Sequence, residues 1–283
     1  MNLNKVALLS SLIVGGIAVS SFVSSAQAGT VLPGFDTNTL AANDDGSTGE
    51  LNIGFNVDFF GAMHSTLWVN NNGNLTFDAP LITYTPFGLS GVSTPIIAPF
   101  FADVDTRGSG SGLTSYGNGT VDGHAAFGAT WPGVGYYSQS TDKLNTFQVL
   151  LIDRSDVSVG DFDIQFNYDQ IQWETGGASG GSDGLGGTSA AVGYSNGLAD
   201  SSDVSYQLPG SLIPGSFLDG GPDALVSNSN IGVPGTYLFL VRNGEVTPPP
   251  STVPEPENIL GATTGLALFG LASTALKKRK LNK

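Results

Sequence analysis

The sequence contains no cysteine, which excludes a disulfide framework, a thiolate nucleophile and any cysteine-ligated metal site. Charged residues are also scarce, at 12% of the 283 residues. Glycine and proline, in contrast, number 40 and 15, and both are unfavourable inside helices. The composition therefore argues against a helical bundle. It favours many short strands joined by glycine-rich turns and stabilised by packing, aided at most by a hard cation.

Positive charge is nearly missing from the middle of the chain. Only four of the ten Lys and Arg residues lie between residues 29 and 256, whereas all but one of the 24 Asp and Glu residues do. Such an acidic surface repels nucleic acid and anionic lipid head groups, and it attracts divalent cations and basic partners. Nucleic acid is therefore not expected among the partners.

Residues 1–28 have the build of a secretory signal peptide. Lys5 precedes an uncharged run from Val6 to about Val23, and Ala26 and Ala28 are the small residues three and one before a cut after Ala28. A retained anchor helix is the alternative, because the run is nearly long enough to cross a bilayer. We expect cleavage, since the site matches the A-x-A rule.

The other end of the chain has three elements in a fixed order. A proline-rich linker at 247–252 leads to Val253-Pro254-Glu255-Pro256, then to an uncharged stretch at 259–276 that predicts a transmembrane helix, and then to the basic cluster Lys277-Lys278-Arg279-Lys280. This tail, residues 253–283, resembles the PEP-CTERM sorting signal of Gram-negative bacteria. The resemblance implies recognition by an exosortase, a membrane transpeptidase, with cleavage near Pro-Glu-Pro. A plain tail anchor is the alternative.

Between the two ends, residues 29–246 show apolar residues in alternation, which is typical of strands with one buried face. No comparable stretch has helical spacing, so we predict an all-β fold, a β-sandwich of about ten strands. Asn70-Asn71-Asn72-Gly73 predicts a hairpin turn, residues 176–187 a flexible surface loop, and residues 201–233 long turns. The alternating rows are Leu51/Ile53/Phe55/Val57/Phe59, Leu67/Val69, Leu75/Phe77, Phe127/Trp131, Phe147/Val149/Leu151, Phe162/Ile164/Phe166 and Tyr237/Phe239/Val241.

Several short segments occur in a recognisable order between residues 45 and 243. They include Val57-Asp58-Phe59-Phe60-Gly61, Leu67-Trp68-Val69-Asn70-Asn71-Asn72-Gly73, Ala98-Pro99-Phe100-Phe101-Ala102-Asp103-Val104-Asp105 and Ala191-Val192-Gly193-Tyr194. In this order they resemble the nidogen-like (NIDO) domain. The resemblance implies an extracellular, matrix-associated or adhesive role with no established catalytic residues, so the chain is not expected to be an enzyme.

Two patterns offer catalytic chemistry. Residues 193–197 fit the G-x-S-x-G pattern of α/β-hydrolases around Ser195, but that fold needs its base histidine downstream of the serine, and His64 and His124 both lie upstream. We therefore interpret the segment as a strand end that runs into a turn. Neither histidine has a metal-binding spacing around it, so both are expected to be solvated. The many aspartates leave a glycosidase-type carboxylate pair open.

A cation site is a further open alternative. Asp103 and Asp105, at i and i+2 of a strand end, are expected to point to one side. Asp44-Asp45 and loop carbonyls could then complete the six to eight oxygen ligands of Ca²⁺. The other interpretation, preferred because Asp-x-Asp lacks the full calcium-loop pattern, is that Arg107 pairs with Asp105 or Asp103. No other cofactor is expected.

Together these observations predict an exported cell-surface or extracellular-matrix protein whose central domain is a binding or adhesive module. Its expected partners are the secretion machinery, the exosortase and an extracellular polymer or surface protein, with the membrane contacted by the C-terminal helix before processing. The alternatives are an enzyme acting on extracellular polysaccharide and a passive surface-layer component.

Overall fold

The computed structural model describes residues 31–198 and 205–247. These residues form thirteen strands and two short 3-10 helices, Leu89–Gly91 and Gly177–Ser179. The strands are β1 (Asn38–Thr39), β2 (Leu51–Phe59), β3 (Ala62–Asn70), β4 (Asn74–Thr76), β5 (Ile96–Phe101), β6 (Ser115–Val121), β7 (His124–Tyr136), β8 (Ser140–Asp153), β9 (Phe162–Ile171), β10 (Ala191–Ser195), β11 (Ser205–Gln207), β12 (Thr236–Arg242) and β13 (Glu245–Thr247).

The strands form two sheets in which all pairs are antiparallel. The seven-stranded sheet has the order β1-β6-β7-β8-β9-β12-β13, and the six-stranded sheet has the order β11-β10-β5-β4-β3-β2. The long strands β7, β8 and β9 are neighbours in both sequence and space. The predicted all-β fold with two packed sheets is therefore confirmed.

One large apolar core lies between the two sheets. Every predicted alternating row contributes to it. Leu67 and Val69 of β3 and Phe147 and Val149 of β8, for example, belong to the same cluster and are fully buried. Burying one such side chain stabilises the fold by about 1.5–3 kcal/mol relative to leaving it in water. The core therefore holds the two sheets together without disulfide bonds.

The predicted row on β2 is only partly correct. Ile53 is fully buried, whereas Phe55 is only half-buried at the edge of the core. The pairing of β2 with β3 shifts register between Asn52 and Val57, where Gly54 adopts a φ of +94°. Such a bulge rotates the strand locally, so strict alternation in the sequence does not become a strictly buried face.

The number of strands exceeds the predicted ten because several strands are very short. β1 has two residues, and β4, β11 and β13 have three each. A strand of two or three residues is too short to display an alternation, so β1, β11 and β13 leave no readable pattern in the sequence. β4 is the exception, because Leu75 belongs to the predicted row Leu75/Phe77. The segment 208–235 contains no strand and consists of turns anchored by the buried side chains of Phe217 and Leu225.

The glycine-rich segment 176–187 is more compact than the predicted flexible loop. It begins with the helix Gly177–Ser179, and the Thr188 N–H donates to the Ser179 carbonyl oxygen (2.9 Å). Gly184 is buried against Trp173 and accepts a hydrogen bond from Glu174 N–H (2.9 Å). Main-chain hydrogen bonds and the tryptophan just before the segment hold it in place, and neither is visible in its glycine content.

In the described residues, 31–198 and 205–247, no helix has the length and apolar character needed to cross a membrane. The predicted signal-peptide cleavage site at Ala26 and Ala28 lies outside these residues. So do the sorting motif Val253-Pro254-Glu255-Pro256, the predicted transmembrane stretch 259–276 and the basic cluster Lys277-Lys278-Arg279-Lys280. These features remain predictions from the sequence.

Candidate metal centre

The predicted hairpin turn at residues 70–73 connects β3 to β4, but its asparagines are buried inside the protein. Gly73 alone has a positive φ among these four residues, at +76°. Its Cα lies against the main chain of β5, because a Cβ at this position would overlap the carbonyl oxygen of Phe100. The turn therefore packs tightly on β5, and a side chain larger than hydrogen does not fit at Gly73.

The side chain of Asn71 ties the N-terminal loop to the end of β5. Its amide nitrogen donates to the carbonyl oxygens of Asp44 (2.6 Å) and Val104 (2.7 Å), with a longer contact to Asn43 (3.3 Å). Trp131 Nε1 donates to the carbonyl oxygen of Asn71 (2.8 Å). One fully buried asparagine thus joins three parts of the chain that are distant in sequence.

The neighbouring Asn72 makes a second set of bonds to the same two segments. Its amide nitrogen donates to Asp45 Oδ1 (2.9 Å), and its amide oxygen accepts from the Val104 N–H (2.9 Å). Its carbonyl oxygen accepts from the Ala102 N–H (3.2 Å). Because buried amides that are fully hydrogen-bonded specify a unique arrangement, the loop carrying Asp45 is held in one position against the residues that follow β5.

Three carboxylates meet at this junction. Asp44 and Asp45 come from the N-terminal loop, and Asp103 comes from the segment just after β5. One ligand atom of each lies within 4.8 Å of those of the other two. We call these three residues the acidic cluster. The sequence offered Asp103, Asp105, Asp44 and Asp45 as candidate cation ligands, and the structure brings Asp44, Asp45 and Asp103 together.

Asp105, the predicted partner of Asp103, is instead occupied by Arg107. The guanidinium donates to both carboxylate oxygens of Asp105 (2.9 and 2.7 Å), and the Gln139 N–H donates to Oδ2 (2.8 Å). Burial alone would raise the pKa of Asp105, but the hydrogen bonds from Arg107 and Gln139 outweigh burial and lower that pKa. Arg107 also contacts Asp44 Oδ2 (2.8 Å). The preferred interpretation from the sequence, ion pairing, therefore describes Asp105.

Asp103 is the most deeply buried member of the acidic cluster, with 1% of its surface exposed. Within the described residues, its Oδ2 atom has no hydrogen-bond partner, and neither does Asp44 Oδ1. The main chain of Gly176 covers Asp103, because a Cβ on Gly176 would overlap Asp103 Oδ2. A glycosidic bond of a polymer could not reach this carboxylate unless the segment around Gly176 moved away.

Burial and mutual repulsion change the acidity of the acidic cluster. Burial is the largest cause that raises the pKa of Asp103 to about 7, and the charges of Asp44, Asp45 and Asp105 add to it. Burial likewise raises the pKa of Asp44 to about 6, with further contributions from Asp105 and Asp45. Burial and mutual repulsion thus destabilise the ionised carboxylates of Asp44 and Asp103. A bound cation would offset this repulsion.

The other candidate residues from the sequence, Ser195, His64 and His124, do not come together in one site. Ser195 is the last residue of β10, is 1% exposed, and accepts a hydrogen bond on Oγ from the Gly197 N–H (3.2 Å). Residues 196–198 contain no helix, so the strand end running into a turn is confirmed.

His64 is half-buried and packs on Phe77 (ring centroids 4.6 Å apart) rather than being solvated. The Nδ1 atom of His124 lies 3.6 Å from Asp156 Oδ1.

Sequence comparison places this domain among known proteins. A family model described as the nidogen-like domain matches residues 65–243. Alpha-tectorin of Mus musculus and of Homo sapiens are each 33% identical over 238 residues, covering 75% of this chain and 10% of the relative. Nidogen of Drosophila melanogaster is 30% identical over 233 residues, covering 71% of this chain and 16% of the relative.

The chain spans about a tenth of the length of the alpha-tectorins it matches. No solved structure matches it. The family model nevertheless covers more than half of the chain, and it spans the strands from within β3 to the end of β12. The chain belongs to the nidogen-like domain family.

Proposed function

We propose that this chain is an exported cell-surface or extracellular-matrix protein whose nidogen-like domain is a binding, adhesive module. The observation that carries this proposal is the family match over residues 65–243, because the family implies an extracellular, matrix-associated role. The excess of acidic residues in the same part of the chain favours basic or cation-bridged partners over nucleic acid. The proposed partner is an extracellular polymer or another surface protein.

The geometry of the two candidate catalytic features supports binding over catalysis. Ser195 is buried within β10 and has its Oγ engaged by the turn that follows, whereas a nucleophilic serine has to face its substrate. Asp103, whose raised pKa would suit a general acid, is covered by the main chain of Gly176. An enzyme acting on polysaccharide therefore has little support from either feature.

The two ends of the chain supply the proposed route to the surface. Removal of residues 1–28 would release the protein from the inner membrane's secretion machinery, and the tail 253–283 would hold it in the membrane until an exosortase cuts near Pro254-Glu255-Pro256. This part of the proposal rests on the sequence motifs alone. It is testable separately from adhesion.

The proposed processing predicts the termini of the mature protein. Mass spectrometry of protein recovered from the producing bacterium should find Gly29 as the first residue and no peptide from the basic cluster. Pro256→Ala should leave the tail attached and the protein in the membrane fraction, whereas the control Pro249→Ala, in the linker, should be processed normally. Recovery of the uncut 283-residue chain from the cytosol would contradict both cleavages.

The proposed adhesive role predicts a phenotype for loss of the domain. A deletion strain should attach to matrix less than the wild type, and a copy that lacks residues 31–247 but keeps both terminal signals should not restore attachment. The full chain should restore it. Unchanged adhesion and matrix composition in the deletion strain would count against the role. Depolymerisation of an extracellular polysaccharide by the purified chain would favour the enzymatic alternative instead.

A further inference from the structure

We infer that Asp44, Asp45 and Asp103 bind a calcium ion that fastens the N-terminal loop to the end of β5. This inference concerns the acidic cluster defined above and does not depend on the proposed adhesive function. Its starting point is the buried and unpartnered Asp103 side chain, together with the two further carboxylates that converge on it.

Positive charge in the described residues compensates the acidic cluster only at Asp44. Arg107 donates from Nε and Nη2 to Asp105, and its Nη2 atom also contacts Asp44 Oδ2. Within the part of the chain that the structure describes, no Lys or Arg forms an ion pair with Asp45 or Asp103. A buried carboxylate without a positive partner is strongly unfavourable, so a cation taken up from solution would stabilise the ionised form of these carboxylates.

Two carboxylate oxygens point to the same conclusion. Asp103 Oδ2 and Asp44 Oδ1 are buried and accept no hydrogen bond from any described residue. Nearly all buried polar atoms in folded proteins have a partner, and an exception calls for an explanation such as a bound ion. A metal ion ligated by these residues would give both oxygens a partner and would offset their mutual repulsion.

The donor atoms favour a hard cation, and their spacing is compatible with calcium. All of the side-chain donors are carboxylate oxygens, which prefer hard cations such as Ca²⁺ and Mg²⁺. Two oxygens on one ion are separated by at most twice the metal–oxygen distance, which is about 4.6–5.2 Å for Ca²⁺ and about 4.2 Å for Mg²⁺. The three ligand atoms lie within 4.8 Å of one another, a spacing that a single calcium ion can span.

The surrounding amides hold the carboxylates ready for an ion. The Asn71 side chain fixes the main chain at Asp44, and the Asn72 side chain fixes the carboxylate of Asp45. The Tyr137 N–H donates to the carbonyl oxygen of Asp103 (3.2 Å). Because the positions are set by the fold, little conformational entropy is lost when the ion binds. Calcium sites of extracellular modules work in the 10⁻⁴–10⁻³ M range, which suits an exported protein.

Thermal unfolding of the full chain tests this site. The chain, purified in detergent so that both apolar ends stay in solution, is stripped with a chelator and unfolded with CaCl₂, MgCl₂ or chelator alone at equal ionic strength. Calcium at ten times its dissociation constant should raise the melting temperature by about 3–6 °C, and magnesium should raise it less. Calorimetric titration with CaCl₂ should give one site per chain.

Asp103→Asn should abolish the calcium-dependent rise and weaken calcium binding at least tenfold, as expected for loss of a charged ligand. In chelator the same variant should melt no lower than the wild type, because a buried unpaired charge has been removed. Asp122→Asn, which removes the same charge from an exposed turn, should keep the full calcium response. If Asp103→Asn does not fold, Asp45→Asn provides the same test at a half-buried ligand.

Three results would overturn the inference. The first is a melting temperature that is the same in calcium and in chelator. The second is an equal rise with magnesium, which would remove the assignment to calcium. The third is a calcium response that survives both Asp103→Asn and Asp45→Asn, because binding would then occur elsewhere on the acidic surface.

Discussion

Replacing Asn71 by aspartate is expected to destabilise the domain by about 3–5 kcal/mol, the usual effect of an uncompensated buried charge. The Asn71 amide nitrogen donates to the carbonyl oxygens of Asp44 and Val104 and is fully buried. The replacement exchanges this donor for a carboxylate oxygen, which would face those carbonyls and the acidic cluster. Since domains of this kind are stable by only about 5–15 kcal/mol, the loss is a large share of the total. Urea unfolding in chelator, followed by tryptophan fluorescence, measures it.

Two further variants separate the effect of charge from the loss of hydrogen bonds. Asn71→Ala leaves the same carbonyls without a donor but adds no charge, so its cost should be smaller, about 1–3 kcal/mol. Asn52→Asp is the matched control, because Asn52 is exposed and its Oδ1 atom, among the residues that the structure describes, accepts only from the Gly54 N–H. An aspartate keeps that acceptor, and the change should lie within about 0.5 kcal/mol. If Asn71→Asp destabilised the domain less than Asn71→Ala, a buried charge at position 71 would not be the main cost.

Gly73→Ala is the second change with a large expected effect. A φ of +76° costs an alanine about 1–2 kcal/mol, and the added methyl group would overlap the carbonyl oxygen of Phe100. Relieving this overlap would push the turn away from β5, at a further cost of about 1–3 kcal/mol. The Gly73 carbonyl also accepts the Phe100 N–H (3.2 Å), so the pairing of the turn with β5 should weaken. Chemical denaturation gives the sum of these effects.

Gly61→Ala supplies the comparison that isolates the overlap. Gly61 lies in the turn between β2 and β3 with a φ of +82°, nearly the same as that of Gly73, but a Cβ there would have nothing within 4 Å. Its cost should therefore be only the backbone strain of about 1–2 kcal/mol. Equal costs for the two variants would show that contact with β5 contributes nothing at Gly73.

The strands were readable from the sequence because alternation is a local consequence of strand geometry. The rows of β8, β9 and β12 all became buried faces of the core. The row of β2 became a buried face only in part, because the bulge at Gly54 shifts the register of β2 against β3. The short strands β1, β11 and β13 were missed, since pairings such as Asn38 with Tyr116 depend on the partner strand and not on their own residues.

The composition of the acidic cluster depends on contacts between distant parts of the chain. Asp103 and Asp105 look equivalent at i and i+2, but Arg107 takes Asp105 and leaves Asp103 without a positive partner. Asp44 and Asp45 are the residues that approach Asp103. They lie nearly sixty positions earlier in the chain, and the sequence offered them only as additional ligands. The asparagines of the β3–β4 turn look like ordinary turn residues, and the only hint of another role is that three occur in succession. Their inward direction depends on how the turn packs against β5.

The amino-acid sequence by itself determined the all-β class, most of the long strands, the hairpin at residues 70–73 and the acidic character of the domain. Each of these follows from residues within a few positions of one another, or from composition alone. The tertiary structure decided which carboxylates share a site, which of them Arg107 neutralises, and which asparagines hold the N-terminal loop. These relations join segments far apart in the chain, and they are set by the packing of two sheets on one core, which no local pattern records.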